Sequence, residues 1–290
     1  MIAAADLKER AETLGQALPP LLAQAERLAS AVMLGEHGRR RAGLGDEFWQ
    51  YRPAHPGDSL RLIDWRRSAR SDAQFVRERE WQAAQSVTLW VDPARSMSFS
   101  GDTSRAPKRD RAQVLALALA VLLLRAGERV GLAGAETPKS GRAHLWSLAL
   151  AVASQAEVGD YGVPLAGHVA AHGRIVFLSD FLGDLDPVEA ALAEASAKGT
   201  RAVLIQCLDP AEEEFPFDGR TIFESMGGTL RHETLRAGDL RARYLDRLAA
   251  RKDRLKMLAA AVGGHFQTHH TGASALPALL WAYRALEGVR

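Results

Sequence analysis

From Val87 onward the chain alternates short, unbroken apolar runs with helical segments, and this alternation leaves few folds open. Val87–Val91 (VTLWV), Arg174–Ser179 (RIVFLS) and Arg201–Leu208 (RAVLIQCL) lack the polar–apolar alternation of a half-exposed strand. They read as strands covered on both faces. Parallel strands need crossover helices, so an α/β fold is expected, with a mostly parallel sheet and helices on both faces. Lys108–Arg125 reads as the first such helix and is apolar on most sides, so it belongs in the interior. Arg129–Ala133 and His265–Thr268 add strands; Pro187–Lys198, Asp239–Val262 and Leu276–Leu286 add helices. Ala143–Trp146 is expected as a short edge strand leading into a helix near Ser147–Gln155. Arg220–Glu224 and Thr229–Glu233 flank Gly227-Gly228 as a hairpin.

The first 83 residues have a different texture. Helical periodicity up to residue 34 is interrupted by Pro19-Pro20, which predicts one helix ending near Ala17 and another from Pro20 to Leu34. Residues 35–45 form a basic, glycine-rich connector. Leu60–Trp65 and Gln74–Glu80 are expected to pair as a β-hairpin across Ser71-Asp72. The expected organisation is 1–34 (helices), 35–83 (basic loop and hairpin extension) and 84–290 (the α/β domain).

Charge and cysteine content narrow the function. The 37 basic and 35 acidic residues leave a net charge of +2, which disfavours a general polyanion binder, so no nucleic-acid partner is expected. A single cysteine, Cys207, cannot form an internal disulfide and suits a reducing compartment. The longest apolar run, Val114–Leu124, is too short to cross a bilayer of ~30 Å. No transmembrane segment and a cytoplasmic location are expected.

The strand VTLWV ends in Asp92-Pro93-Ala94-Arg95-Ser96-Met97-Ser98. A carboxylate at a strand's carboxyl end, followed by hydroxyl residues, sits where open α/β sheets bind ligands. This segment resembles the Asp-x-Ser-x-Ser loop of the metal-ion-dependent adhesion site of von Willebrand factor type A domains. Ala94 stands where that pattern has its first serine, so the site is a degenerate one. Asp180, after RIVFLS, matches the carboxylate of the third loop, and Gly162-Val163-Pro164 is matched to the second. The resemblance makes Asp92, Ser96 and Asp180 the candidate ligands of a Mg²⁺ ion, which wants oxygen donors in octahedral geometry. The competing reading is that Asp92, Ser96, Ser98 and Asp180 cap loops and helix starts.

A second cluster, Arg61, Asp64, Trp65, Arg66, Arg67 and Arg70, combines residue types common at interface hot spots with those of an arginine–carboxylate lattice. Together with Ser98 it is a candidate interaction surface. His168, His172 and His269-His270 lack a zinc-binding pattern. The chain has no GxxxxGK[ST] loop, no GxSxG elbow and no dinucleotide fingerprint, so no enzymatic activity is expected. Two alternatives stay open: a metal-dependent hydrolase using Asp92 and Asp180, and a nucleic-acid or membrane-surface binder acting through the arginine-rich segments.

The segments GLGDEF (43–48), PGDSLRLIDWRRSAR (56–70), FVREREWQ (75–82), LWVDPARSMSF (89–99) and FLSDF (177–181) together resemble the bacterial domain-of-unknown-function family number fifty-eight. The resemblance implies a Rossmann-like, von Willebrand type A-like fold with an added β element. It also implies partnership with a MoxR-type AAA+ ATPase. The implied role is that of a chaperone-like adaptor in the assembly or maturation of an unidentified client protein.

Overall fold

The structure, a computed structural model, describes residues 19–32, 48–54, 63–69, 74–79, 84–166 and 169–287. The chain divides into two units, Met1–Gly35 with Gln85–Arg290, and Glu36–Ala84.

The larger unit is built on six strands: β3 (Ser86–Val91), β4 (Arg129–Leu132), β5 (Glu136–Lys139), β6 (Arg174–Ser179), β7 (Arg201–Leu208) and β10 (His265–His270). Their order across the sheet is β10-β7-β6-β3-β4-β5. All neighbours run parallel except β5, which is antiparallel to β4 at the edge. Counted in chain order, the sheet reads 3-2-1-4-5-6 from the β5 edge, the doubly wound arrangement.

Alternate residues of the central strands serve different cores, as the period of two requires. Val176, Leu178, Val203 and Ile205 pack with α3 (Lys108–Arg125), α4 (Arg142–Ala153), α8 (Ala275–Glu287) and a helix over 19–32, here α1. Ile175, Phe177, Ala202 and Leu204 pack on the other face with α5 (Asp186–Ala197) and α7 (Arg241–Ala261). Every residue of α3 from Val114 to Leu123 is buried, because α3 packs on the sheet between α4 and α8, which also pack on it, and shares their core with α1. That explains an apolar run with no polar face. The connection after β7 carries a short helix, α6 (Pro210–Glu214), and a hairpin of β8 (Thr221–Glu224) and β9 (Arg231–Thr234).

Two local expectations need correcting. Residues 142–153 are one helix, and the edge strand lies before it, at β5. Leu145, Leu148, Ala149 and Val152 recur at helical spacing and are buried, which outweighs the short apolar look of Ala143–Trp146. In the smaller unit, β2 (Phe75–Arg79) pairs antiparallel with β1 (Phe48–Pro53); of the expected partner strand, the described end reaches β2 through Asp64 N, which donates to Phe75 O at 2.9 Å, and residues 60–62 lie outside the described residues. Trp65–Ser68 is a helical turn, α2. Asp64 causes it: its carboxylate accepts from Arg67 N at 3.0 Å, an N-cap that a strand could not offer. Ser68 Oγ donates to Asp64 O at 2.8 Å and accepts from Phe75 N at 3.0 Å, tying the turn to β2. The expected helix ending near Ala17, the 35–45 connector and the Ser71-Asp72 turn lie outside the described residues.

Candidate functional site

The sheet's topological switch lies between β3 and β6, where the chain departs in opposite directions, and a crevice at their carboxyl ends is where doubly wound sheets bind ligands. Asp92 leaves β3 and Ser179-Asp180 ends β6, so both carboxylates reach one rim. The ladder continues one step, with Asp92 N donating to Leu178 O at 2.9 Å. The Asp92 side chain is buried; its Oδ1 accepts from Ala94 N at 2.8 Å and its Oδ2 from Ser179 Oγ at 2.5 Å. Burial, reinforced by the nearby Asp180 charge, pushes its pKa up to about 6 against the pull of those hydrogen bonds and of Lys108.

Asp180 is equally buried. Its Oδ1 accepts from Leu182 N at 3.0 Å, its Oδ2 accepts from Lys108 Nζ at 2.8 Å, and its carbonyl accepts from Gln206 Nε2 at 2.9 Å. Lys108, the first residue of α3, has no exposed surface, and its ammonium also donates to Glu212 Oε1 at 2.5 Å. Glu212 is held in turn: its Oε2 accepts from Asp209 N at 2.9 Å, half of a capping box that starts α6. Burial alone would lower the lysine's pKa, but Asp180 and Glu212 outweigh it and hold the ammonium above its ordinary value. Burial raises the Glu212 carboxyl, and Lys108 opposes that rise.

A loop over residues 154–166 covers the rim. Arg95 N donates to Gly159 O at 3.1 Å and Ser96 N to Asp160 O at 2.9 Å. Asp160 accepts in turn from Ser225 Oγ at 2.8 Å and from Thr229 Oγ1, so the turn of the β8–β9 hairpin is bound to this loop. Ser98 Oγ donates to Glu157 Oε1 at 3.0 Å, and Arg109 bridges the same carboxylate to the Pro93 carbonyl. Val158, Val163 and Leu165 on the loop, and Met226 and Leu230 on the hairpin, are all about half exposed or more. Isolated exposed apolar residues are ordinary, and these five lie on two segments joined through Asp160.

Gly162 lies directly on Asp92: a Cβ there would fall 2.1 Å from Oδ1. Gly162→Ala therefore forces the loop or the carboxylate to move. The expected cost is about 1–2 kcal/mol in urea unfolding, as for other overpacked sites, and an unchanged midpoint would contradict this packing.

The donor set does not suit a Mg²⁺ ion. Ala94 brings no side-chain oxygen, and Val163 is 59% exposed and carries none either. Both oxygens of Asp92 and both of Asp180 already accept hydrogen bonds, one of them from an ammonium. Of the three expected ligands only Ser96 offers an atom without a hydrogen bond, its buried Oγ; the carboxylate oxygens keep further lone pairs, but an ion at Asp180 would share that carboxylate with the Lys108 ammonium. Among the described residues no group of three His, Cys, Asp or Glu side chains is disposed around a common point for a metal.

The remaining candidates are dispersed. In the smaller unit Trp65, Arg66 and Arg67 are exposed on α2, Asp64 caps it, and Arg67 lies over the Phe75 ring; Arg61 and Arg70 lie outside the described residues. His172 uses its backbone N to cap the end of α5 through Lys198 O at 2.9 Å, His269 meets Arg111, and His270 pairs with Glu213. His168 lies outside the described residues. Cys207 is inert, its thiol pushed up to about 12 by burial. Lys108, Asp209, Glu212 and Asp160 were not singled out from the sequence. The Asp209-Pro210-x-Glu212 spacing was a readable capping signal; Lys108 carried none, because its partners lie 72 and 104 residues away.

Among proteins of known sequence, the chain is similar to uncharacterized proteins of Mycobacterium bovis and of two Mycobacterium tuberculosis strains. Each is 28% identical over 226 residues, covering 73% of this chain and 70% of theirs. Among solved structures it is similar to an aerotolerance-related membrane protein from Bacteroides fragilis, at 14% identity and a TM-score of 0.39, over 70% of this chain and 99% of that one. It is also similar to the conserved hypothetical protein BatB from Bacteroides thetaiotaomicron, at 14% identity and a TM-score of 0.35, over 69% and 96%. Among the described residues no helix is long and apolar enough to cross a membrane. The family model for DUF58, described as a protein of unknown function, matches residues 50–254, and the chain belongs to that family.

Proposed function

We propose that this protein is a non-catalytic adaptor whose larger unit is a type A-like domain, and that its switch-point rim binds protein. The observation that carries the reading is the set of exposed apolar residues Val158, Val163, Leu165, Met226 and Leu230 on two hydrogen-bonded segments beside a rim where Asp180 and Glu212 are already paired with Lys108. Engaged carboxylates serve poorly as proton carriers but well as fixed walls of a docking site. The doubly wound strand order with an antiparallel edge supports the type A-like reading.

The partner proposed from the sequence resemblance is a MoxR-type AAA+ ATPase acting in the cytoplasm, with a client protein as the third member. The test is co-purification of the full chain with a MoxR-type ATPase of the same organism, in ATP, ADP and a non-hydrolysable analogue. Capture in at least one nucleotide state is expected. Val163→Glu and Leu230→Glu are expected to weaken it about tenfold or more without moving the thermal midpoint, since charges buried in an apolar contact are costly. No capture in any state, or capture indifferent to both substitutions, overturns the reading.

A further inference from the structure

The first turn of a helix favours an acid, because the unpaired N–H groups there carry partial positive charge. α3 begins instead with Lys108, which is also fully buried, so two unfavourable terms act on one ammonium. What holds it is specific. Nζ donates to Asp180 Oδ2 at 2.8 Å and to Glu212 Oε1 at 2.5 Å, and lies 5.6 Å from the centre of the Phe99 ring. Both carboxylates are fixed from behind, Asp180 by Leu182 N and Glu212 by Asp209 N.

We propose that the Lys108 ammonium is the built-in cation of this rim, supplying the charge neutralisation that a divalent ion supplies in metal-centred adhesion sites, so that the rim engages its partner without a metal. A divalent ion near Asp180 would have to share that carboxylate with the ammonium and bear its repulsion at close range. The absence of a side-chain oxygen at Ala94 then follows: a site with its own cation has no coordination shell to complete. The inference rests on reading the rim as the interaction site, but it is tested by cation binding alone. Failure of the adaptor role therefore leaves the cation result standing, and the converse also holds.

The test is Mn²⁺ titration of the full chain, followed by electron paramagnetic resonance and by thermal midpoint, in wild type and in Lys108→Ala. Wild type is expected to show no saturable uptake and no midpoint shift at millimolar Mn²⁺. Lys108→Ala opens a hole flanked by the Asp180 and Glu212 carboxylates, and is expected to bind Mn²⁺ at least tenfold more tightly than wild type and to gain thermal stability from it. Folding of the variant only when Mn²⁺ is present supports the proposal equally. Stoichiometric uptake by wild type that is lost in Asp180→Asn overturns it, as does a folded Lys108→Ala that binds no better than wild type. If the variant does not fold under any condition, the wild-type titration alone decides, for or against.

Discussion

Lys108→Met is expected to lower the unfolding free energy by about 3–5 kcal/mol, the range for deleting one partner of a buried ion pair. Methionine keeps most of the volume, so the loss comes from leaving the buried Asp180 and Glu212 carboxylates without their common donor. The exposed Arg254–Glu189 pair, at 2.8 Å with side chains 48% and 53% exposed, makes the contrast: its loss should cost under about 1 kcal/mol despite equal geometry. Adding Asp180→Asn to Lys108→Met should recover part of the loss, because it removes an orphaned charge, and the double-mutant cycle reports the coupling directly. Urea denaturation at neutral pH measures all of these. A cost below about 1 kcal/mol for Lys108→Met would show that the ammonium is not the central counter-ion of the site.

Asp92→Asn is expected to do the opposite and stabilise the protein at neutral and higher pH. The sign follows from the direction of the shift. Burial raises the carboxyl from 3.8 to about 6 in the folded chain, so between those values the folded state binds more protons than the unfolded one. Stability contributed by this group therefore falls as pH rises from about 4 to about 6, and the full penalty persists above that. A rise of about two pH units corresponds to about 3 kcal/mol, which is an upper bound on the gain from a neutral side chain. Asparagine can still accept from Ala94 N through Oδ1 and donate from Nδ2 to Ser179 Oγ. The gain should vanish near pH 4, where Asp92 is protonated in the folded protein. Urea unfolding of both proteins across pH 4–8 checks this, and a variant less stable at pH 8 would mark Asp92 as a stabilising loop cap.

The two residues differ in how far the sequence exposed them. Asp92 and Asp180 were legible because each ends an unbroken apolar run, and such runs in this chain are strands buried on both faces. The same signal placed β6 and β7 over 174–179 and 201–208 and α3 over 108–125 without error. It failed where burial is partial. At Trp65 the expected strand gives way to a helical turn that Asp64 caps, and a cap depends on one side chain rather than on a pattern. Val163 matched a metal-loop position only by spacing, and the structure turns it outward while the backbone of its neighbour Gly162 covers Asp92.

By itself the sequence determined the layered α/β architecture, since hydrophobic periodicity is a local property that burial must satisfy wherever the segment lands. It also determined that two acidic residues would stand at strand exits. Only the tertiary structure decided what those acids face. β3 and β6 are separated by 82 residues between Val91 and Arg174 yet lie side by side, and the lysine that closes on Asp180 comes from the start of a third element. Charge pairing in a buried site depends on distances of about 3 Å between groups far apart along the chain. Such distances are set by how the helices pack across the sheet, and no local pattern of residues encodes them.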